Sequence, residues 1–261
     1  MSPDLDLRVL PDELLADTHD YVFVVTYGRT GSTLVQGLLN ALPRTLVRGE
    51  NGMYLVHQWR GADAAVTLGQ RHLKHRPRKV TSAFYGSHLL TAAGFVESAR
   101  TLTKTMLLGL RKEHEYDRLG FKEVRWHEIA PEETESFFAW FEQVFPGARY
   151  VLNTRDPERA AGSGFWQRVE PDEAMRQIDR VRAVQEFLRS TRPERVLDTR
   201  FEEITSMDPA VSDAALAGLA TFVLGDCDAE LLGSLRTVLG TGHGPLPFGA
   251  SRNHDQENPD D

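Results

Sequence analysis

The sequence predicts an α/β domain: a mainly parallel central sheet flanked by helices, with a helical cap inserted in it. Three observations carry that expectation. Tyr21-Val22-Phe23-Val24-Val25-Thr26 is an apolar, β-branched and aromatic run, as a strand buried on both faces requires. Further short runs of this type alternate with helical patterns along the chain, the order in which crossover connections build a parallel sheet. A glycine-containing loop directly follows the first run and opens a helix, which places a ligand site beyond the carboxyl ends of the strands.

The elements follow in order. After the first strand and its loop, a helix is predicted from about Thr33 to Leu42, and Thr45-Leu46-Val47 reads as the second strand. Leu119-Gly120-Phe121-Lys122 reads as the third, Tyr150-Val151-Leu152-Asn153 as the fourth, and Val196-Leu197-Asp198 as a fifth of weaker pattern. Helical patterns fill residues near 62–74, 95–115, 131–145, 172–190 and 209–238. Met175, Ile178, Val181 and Leu188 recur at helical spacing and mark a stripe that faces the core. The helices between the second and third strands are expected to form the cap, about residues 52–118. The whole chain, 1–261, is expected to be one domain ending in a flexible polar tail at about 251–261.

Composition bounds the function. A length of 261 residues fits one large domain, and 41% hydrophobic with 26% charged residues fits a globular chain rather than a disordered one. A net charge of −8 argues against a general nucleic-acid binder. Cys227 is the single cysteine, so it forms no internal disulfide and leaves no thiolate metal site, which fits a reducing, cytoplasmic setting. Met1-Ser2-Pro3-Asp4-Leu5-Asp6 lacks the basic and apolar regions of a signal peptide, and the apolar runs are too short to cross a bilayer. A soluble protein with no membrane partner is expected. No pattern of metal ligands is visible, so no metal is expected.

Two motifs carry the chemistry. In Thr26-Tyr27-Gly28-Arg29-Thr30-Gly31-Ser32-Thr33-Leu34 the glycines allow a tight turn, and exposed N–H groups at a helix N-terminus attract an anion. Ser32 and Thr33 add hydroxyls and Arg29 adds a fixed positive charge. The loop lacks the lysine that a nucleoside triphosphatase places before Ser32. In Tyr150-Val151-Leu152-Asn153-Thr154-Arg155-Asp156-Pro157, Arg155 ends a buried strand, and Ser163 follows eight residues later on the next helix or at its end. A guanidinium and a hydroxyl so placed suit two oxygens of one phosphate. The plainer alternatives are an ordinary glycine turn for the first motif and a local Arg155–Asp156 ion pair for the second.

Taken together and in this order, the motifs resemble the sulfotransferase superfamily that uses 3′-phosphoadenosine 5′-phosphosulfate (PAPS). The resemblance runs from about Tyr21 to Ile204 and includes Thr199-Arg200-Phe201-Glu202-Glu203-Ile204, a less specific stretch. It implies that Gly28, Arg29, Thr30, Gly31, Ser32 and Thr33 receive the 5′-phosphosulfate, and that Arg155 and Ser163 hold the 3′-phosphate. The acceptor would be a hydroxyl of a small molecule or sugar, and the product nucleotide 3′-phosphoadenosine 5′-phosphate (PAP). The pattern is similar to the bacterial, carbohydrate and tyrosylprotein branches, which often place an acidic base in a Gly-Glu step after the first helix. Val47-Arg48-Gly49-Glu50-Asn51 stands there, which makes Glu50 the base that takes the acceptor's proton. Gly120-Phe121-Lys122-Glu123-Val124-Arg125-Trp126 is similar to the segment that delivers a lysine to the reacting sulfate. Lys122 would then stabilise the leaving bridging oxygen and Arg29 the sulfuryl oxygens.

Each role has a rival. Glu50 can be a solvated loop acid, and Lys122 can be the partner of Glu123 or another carboxylate in a strand-end ion pair. His57 and His127 are the alternative bases. The chain as a whole can be a nucleotide-dependent kinase or hydrolase with a variant phosphate loop, or a non-catalytic nucleotide-binding module. The glycine-rich closing loop of the cytosolic small-molecule branch is not recognisable. Gly240-Thr241-Gly242-His243-Gly244 or Ser251-Arg252-Asn253 are the segments that would cover the nucleotide instead, and the adenine pocket stays unassigned. The basic run Arg71–Lys79 reads as a solvated helix end rather than a site for an anionic acceptor. Neither the acceptor nor the oligomeric state is readable.

Overall fold

The computed structural model describes residues 18–72, 79–109, 111 and 115–241. The polar tail, Ser251-Arg252-Asn253, residues 242–244 of the glycine-rich stretch, and residues 73–78 of the basic run lie outside them. The sheet has five strands: β1 (Asp20–Thr26), β2 (Thr45–Arg48), β3 (Arg118–Glu123), β4 (Arg149–Thr154) and β5 (Val196–Arg200). Their order is β2-β3-β1-β4-β5 and every pairing is parallel. The predicted α/β class is what the structure shows.

Alternation along β1 builds two cores. Tyr21, Phe23 and Val25 face one side, where Phe121, Trp126, Phe137, Phe138, Phe141, Phe145 and Tyr150 pack as an aromatic layer. Val22 and Val24 face the other, an aliphatic layer with Val35, Leu38, Leu39, Val151, Leu216 and Leu219. Burial on both faces explains why β1 shows no polar alternation in its middle. The aromatic side is covered by α4 (Thr134–Val144) and α6 (Pro171–Thr191), the latter carrying the predicted stripe through Ile178, Val181 and Leu188.

Several helix boundaries differ from expectation. The helix predicted near 62–74 is α2 (Tyr54–His72), which begins earlier because Leu55, Trp59, Ala62 and Val66 form one buried helical stripe. The pattern near 95–115 is α3 (Ala92–Leu108), opened by Thr91, whose hydroxyl accepts from Gly94 N at 3.2 Å, and closed at Gly109 with φ 58. The single helix expected over 209–238 is two, α8 (Pro209–Leu224) and α9 (Ala229–Thr241). Gly225 takes φ 97 and ends α8 as a left-handed cap, and Asp228 Oδ1 then accepts from Leu231 N at 2.8 Å to start α9. The two are bent by 118° against each other, and among the described residues no single helix is long and apolar enough to cross a membrane.

On the aliphatic face, α1 (Ser32–Asn40) follows β1. After β4, Pro157 stands in the first turn of α5 (Pro157–Ala161) and Asp156 caps it, its Oδ1 accepting from Arg159 N at 2.9 Å. Asp156 thus serves the helix start. A 3-10 turn at Gly164–Arg168 and the short α7 (Phe201–Ile204) were not anticipated. The chain leaves β1 toward β2 on one side, while it leaves β4 toward β5 on the other. The sheet's switch point therefore lies at the carboxyl ends of β1 and β4, where ligands of open α/β sheets bind.

Candidate functional site

A row of buried polar side chains crosses the carboxyl end of the sheet. Thr26, Asn153 and Thr199 are register neighbours on β1, β4 and β5 and are almost wholly buried. Thr26 Oγ1 donates to Asn153 O at 2.9 Å and lies 2.6 Å from Thr30 Oγ1. Asn153 Nδ2 donates to Thr30 Oγ1 at 2.9 Å, and its Oδ1 accepts from Thr199 Oγ1 at 3.2 Å. Gln185 from α6 closes the network by donating to Val25 O at 2.8 Å. Every hydroxyl and amide in this row is used, so it holds the following loop from below. Thr30 accordingly spends its hydroxyl on shape and leaves only its main chain to a ligand.

The loop above is bent by two left-handed residues, Arg29 at φ 69 and Gly31 at φ 74. A Cβ on Gly31 would sit 2.2 Å from the Phe201 ring, so glycine is needed for space as well as backbone. Gly31 caps α1 without a side-chain hydrogen bond and the first turn holds no acid, which leaves helix N–H groups for an anion. Ser32 is buried and Thr33 exposed. Gly28 is roofed by the 3-10 turn: a Cβ there would meet the Phe165 ring at 2.4 Å, and Trp166 Nε1 donates to Gly28 O at 3.1 Å. The exposed Arg29 crosses this turn over Gly164, where a Cβ would lie 2.5 Å from its Nε.

The second motif reaches the first through Arg155. Its Nη1 donates to Arg29 O at 3.2 Å, and its guanidinium lies 4.7 Å from the centroid of Phe201. Its Nε is buried with no hydrogen-bond partner. Ser163, two residues beyond α5, donates back to Ala160 O at 3.1 Å. A cavity of about 520 Å³ opens beside Arg155 at the carboxyl ends of β4 and β5, lined also by Tyr27, Arg182, Gln185, Glu186 and Arg200.

On the other side of β1, Lys122 Nζ donates to Glu50 Oε1 at 2.5 Å. The lysine side chain is 7% exposed and the glutamate 46%, so a buried cation meets a carboxylate open to solvent. The strand-end ion pair foreseen for Lys122 exists, with Glu50 rather than Glu123 as partner. Glu123 is fully buried and accepts from backbone N–H groups instead. His57 is 65% exposed and lies 3.5 Å from Glu128, outside this pair. His127 is half-buried, and burial lowers its pKa below the ordinary value. Among the described residues no group of three or more His, Cys, Asp or Glu is placed to hold a metal ion.

Motif reading gave no role in this candidate site to Tyr27, Phe201 or Trp166, and it offered Glu123 as an ion-pair partner rather than as an acceptor of main-chain N–H groups. One signal was available for part of the network: a polar residue at the carboxyl end of an otherwise apolar strand, as at Thr26, Asn153 and Thr199.

Fold and site together define a wholly parallel α/β domain with a glycine loop, an arginine and a lysine–carboxylate pair at the carboxyl edge of its sheet. A family model described as the sulfotransferase family matches residues 21–216, most of the chain, and the protein belongs to that family. Among solved structures, the sulfotransferase STF9 from Mycobacterium avium is similar at a TM-score of 0.46 and 15% identity, over 92% of this chain and 72% of that one. No curated protein matches the chain.

Proposed function

We propose that the protein transfers the sulfuryl group of PAPS to a hydroxyl of a small molecule or sugar. The observation that carries this reading is the buried, unpartnered Nε of Arg155 beside a glycine loop at the sheet's switch point. A guanidinium with a free donor, stacked on Phe201, suits a phosphate, and the open first turn of α1 suits a second anionic group. The donor's separate 3′-phosphate and 5′-phosphosulfate match two such subsites. Arg155 and Ser163 would hold the first, and the Gly28–Thr33 main chain with Arg29 the second.

The donor supplies the sulfuryl group and a nucleotide leaving group. Glu50 takes the acceptor's proton as the acceptor oxygen bonds to sulfur. The bond from sulfur to the bridging oxygen breaks, and its electron pair stays on the departing phosphate, where Lys122 answers the growing charge. The helical segment between β2 and β3 is placed next in sequence to Glu50 and would shape the acceptor pocket.

Calorimetry tests the donor. PAP should bind well, and the analogue lacking the 3′-phosphate should bind about 30-fold or more weakly, as expected when charge-assisted bonds to a partly desolvated arginine are lost. Tighter binding of magnesium ATP than of PAP would replace this reading with a kinase or hydrolase.

A further inference from the structure

Glu123 ends β3, is fully buried, and uses both carboxyl oxygens. Oε1 accepts from its own strand exit, Val124 N at 2.8 Å and Arg125 N at 3.1 Å. Oε2 reaches across to the loop after β2, accepting from Asn51 N at 2.9 Å and Met53 N at 3.0 Å. That loop runs through two successive left-handed residues, Gly52 at φ 70 and Met53 at φ 50. The second is unfavourable for a side chain with a Cβ. The bond to Met53 N is one interaction that offsets this cost. Asn51 and Glu123 are the immediate chain neighbours of Glu50 and Lys122. Two links therefore join the same two segments: Glu123 to the Asn51 main chain, and Lys122 to the Glu50 side chain at 2.5 Å.

We infer that Glu123 is a positioning residue for sulfuryl transfer: it fixes the main chain at Glu50 so that this carboxylate stands opposite Lys122. Successive strand residues point to opposite faces, so Lys122 and Glu123 grip the loop from two sides of the strand end. Side-chain pairing alone would leave Glu50, which is 46% exposed, free to follow solvent. The main-chain clamp fixes where the Glu50 side chain starts, so that only its own rotations remain for the Lys122 bond to restrain before substrate arrives. This inference rests on the roles of Glu50 and Lys122 proposed above.

The test is a cycle of Glu123→Gln and Glu50→Gln in the full-length chain, with PAP affinity, turnover and amide exchange as readouts. Glutamine keeps the size but turns an NH₂ donor toward N–H groups. Glu123→Gln alone should speed exchange at Asn51 and Met53 while β1 stays protected, and should keep PAP affinity within about threefold. It should lower turnover about 30-fold, yet less than about threefold once Glu50 is already glutamine, because coupled residues are non-additive. Equal slowing in both backgrounds makes Glu123 a structural acid and overturns the inference alone. Near-normal turnover of Glu50→Gln overturns the base assignment itself and this inference with it. If Glu123→Gln does not fold, Glu123→Asp, too short to span both pairs of donors, should show the same coupling, and its absence counts equally against the proposal.

Discussion

The Tyr27 hydroxyl holds the main chain of Arg155 at both of its polar atoms, donating to Arg155 O and accepting from Arg155 N at 3.1 Å. Burial raises the phenol's pKa, so it remains a donor across the neutral range. One residue of the glycine loop thus sets the main chain of the arginine just beyond β4, which ties the two motifs together. Tyr27→Phe should cost about 1–3 kcal/mol of stability, since it strands a part-buried N–H and C=O. PAP affinity should fall with it, although the hydroxyl need not touch the ligand. Denaturant unfolding with calorimetry checks both, and unchanged PAP affinity would show that Arg155 needs no such support.

The sheet was readable because its strands are short apolar runs between helical patterns, and in β1 the brevity of the run, its β-branched and aromatic residues and the glycine loop after it mark a strand covered on both faces. The glycine loop and Arg155 were readable because phosphate-type recognition confines backbone and charge to a few consecutive residues. Their mutual placement was not. Lys122 and Glu50 stand 72 positions apart, and nothing local in either segment says which carboxylate the lysine meets. The start of α2 rests on the spaced stripe Leu55–Val66, and the split of α8 from α9 on the left-handed Gly225, features that overall helical periodicity does not resolve. The Asn153 network depends on register between strands, which periodicity within one strand does not report.

Gly31→Ala should damage the loop twice over. It places a Cβ at φ 74, which costs about 1–2 kcal/mol for an L-residue. It also drives that carbon to 2.2 Å from Phe201, the ring that carries Arg155. A fall in melting temperature together with loss of PAP binding is the expected result. Recovery of stability without recovery of binding in the double variant with Phe201→Ala would separate the steric part from the stacking part.

His127 should give the protein an acid-sensitive component. Burial is the main cause that lowers its native pKa below the ordinary 6.5, with the charge of Glu128 opposing. The unfolded chain therefore binds the proton first as pH falls. Stability from this group is complete above about pH 6.5 and is lost between that value and the lower native pKa. Urea midpoints at pH 7.5 and 5.5 should converge more in His127→Gln than in the wild type. An identical pH slope in both proteins would assign the acid sensitivity elsewhere.

Lys122 separates binding from chemistry. Its ammonium is almost wholly covered and its partner, Glu50, is not, so removing the lysine leaves a carboxylate that water can solvate. The fold should tolerate Lys122→Ala with little change in unfolding midpoint. If the lysine answers charge that grows on the bridging oxygen only as transfer proceeds, its loss spares the ground state and raises the barrier. Turnover should then fall about 100-fold or more, the size seen when one transition-state donor is removed, while PAP affinity changes by less than about tenfold. Single-turnover kinetics beside calorimetry makes the comparison. Equal losses in rate and affinity would mean that Lys122 anchors the bound nucleotide, and its pairing with Glu50 would then be a contact broken on binding rather than part of the reacting pair.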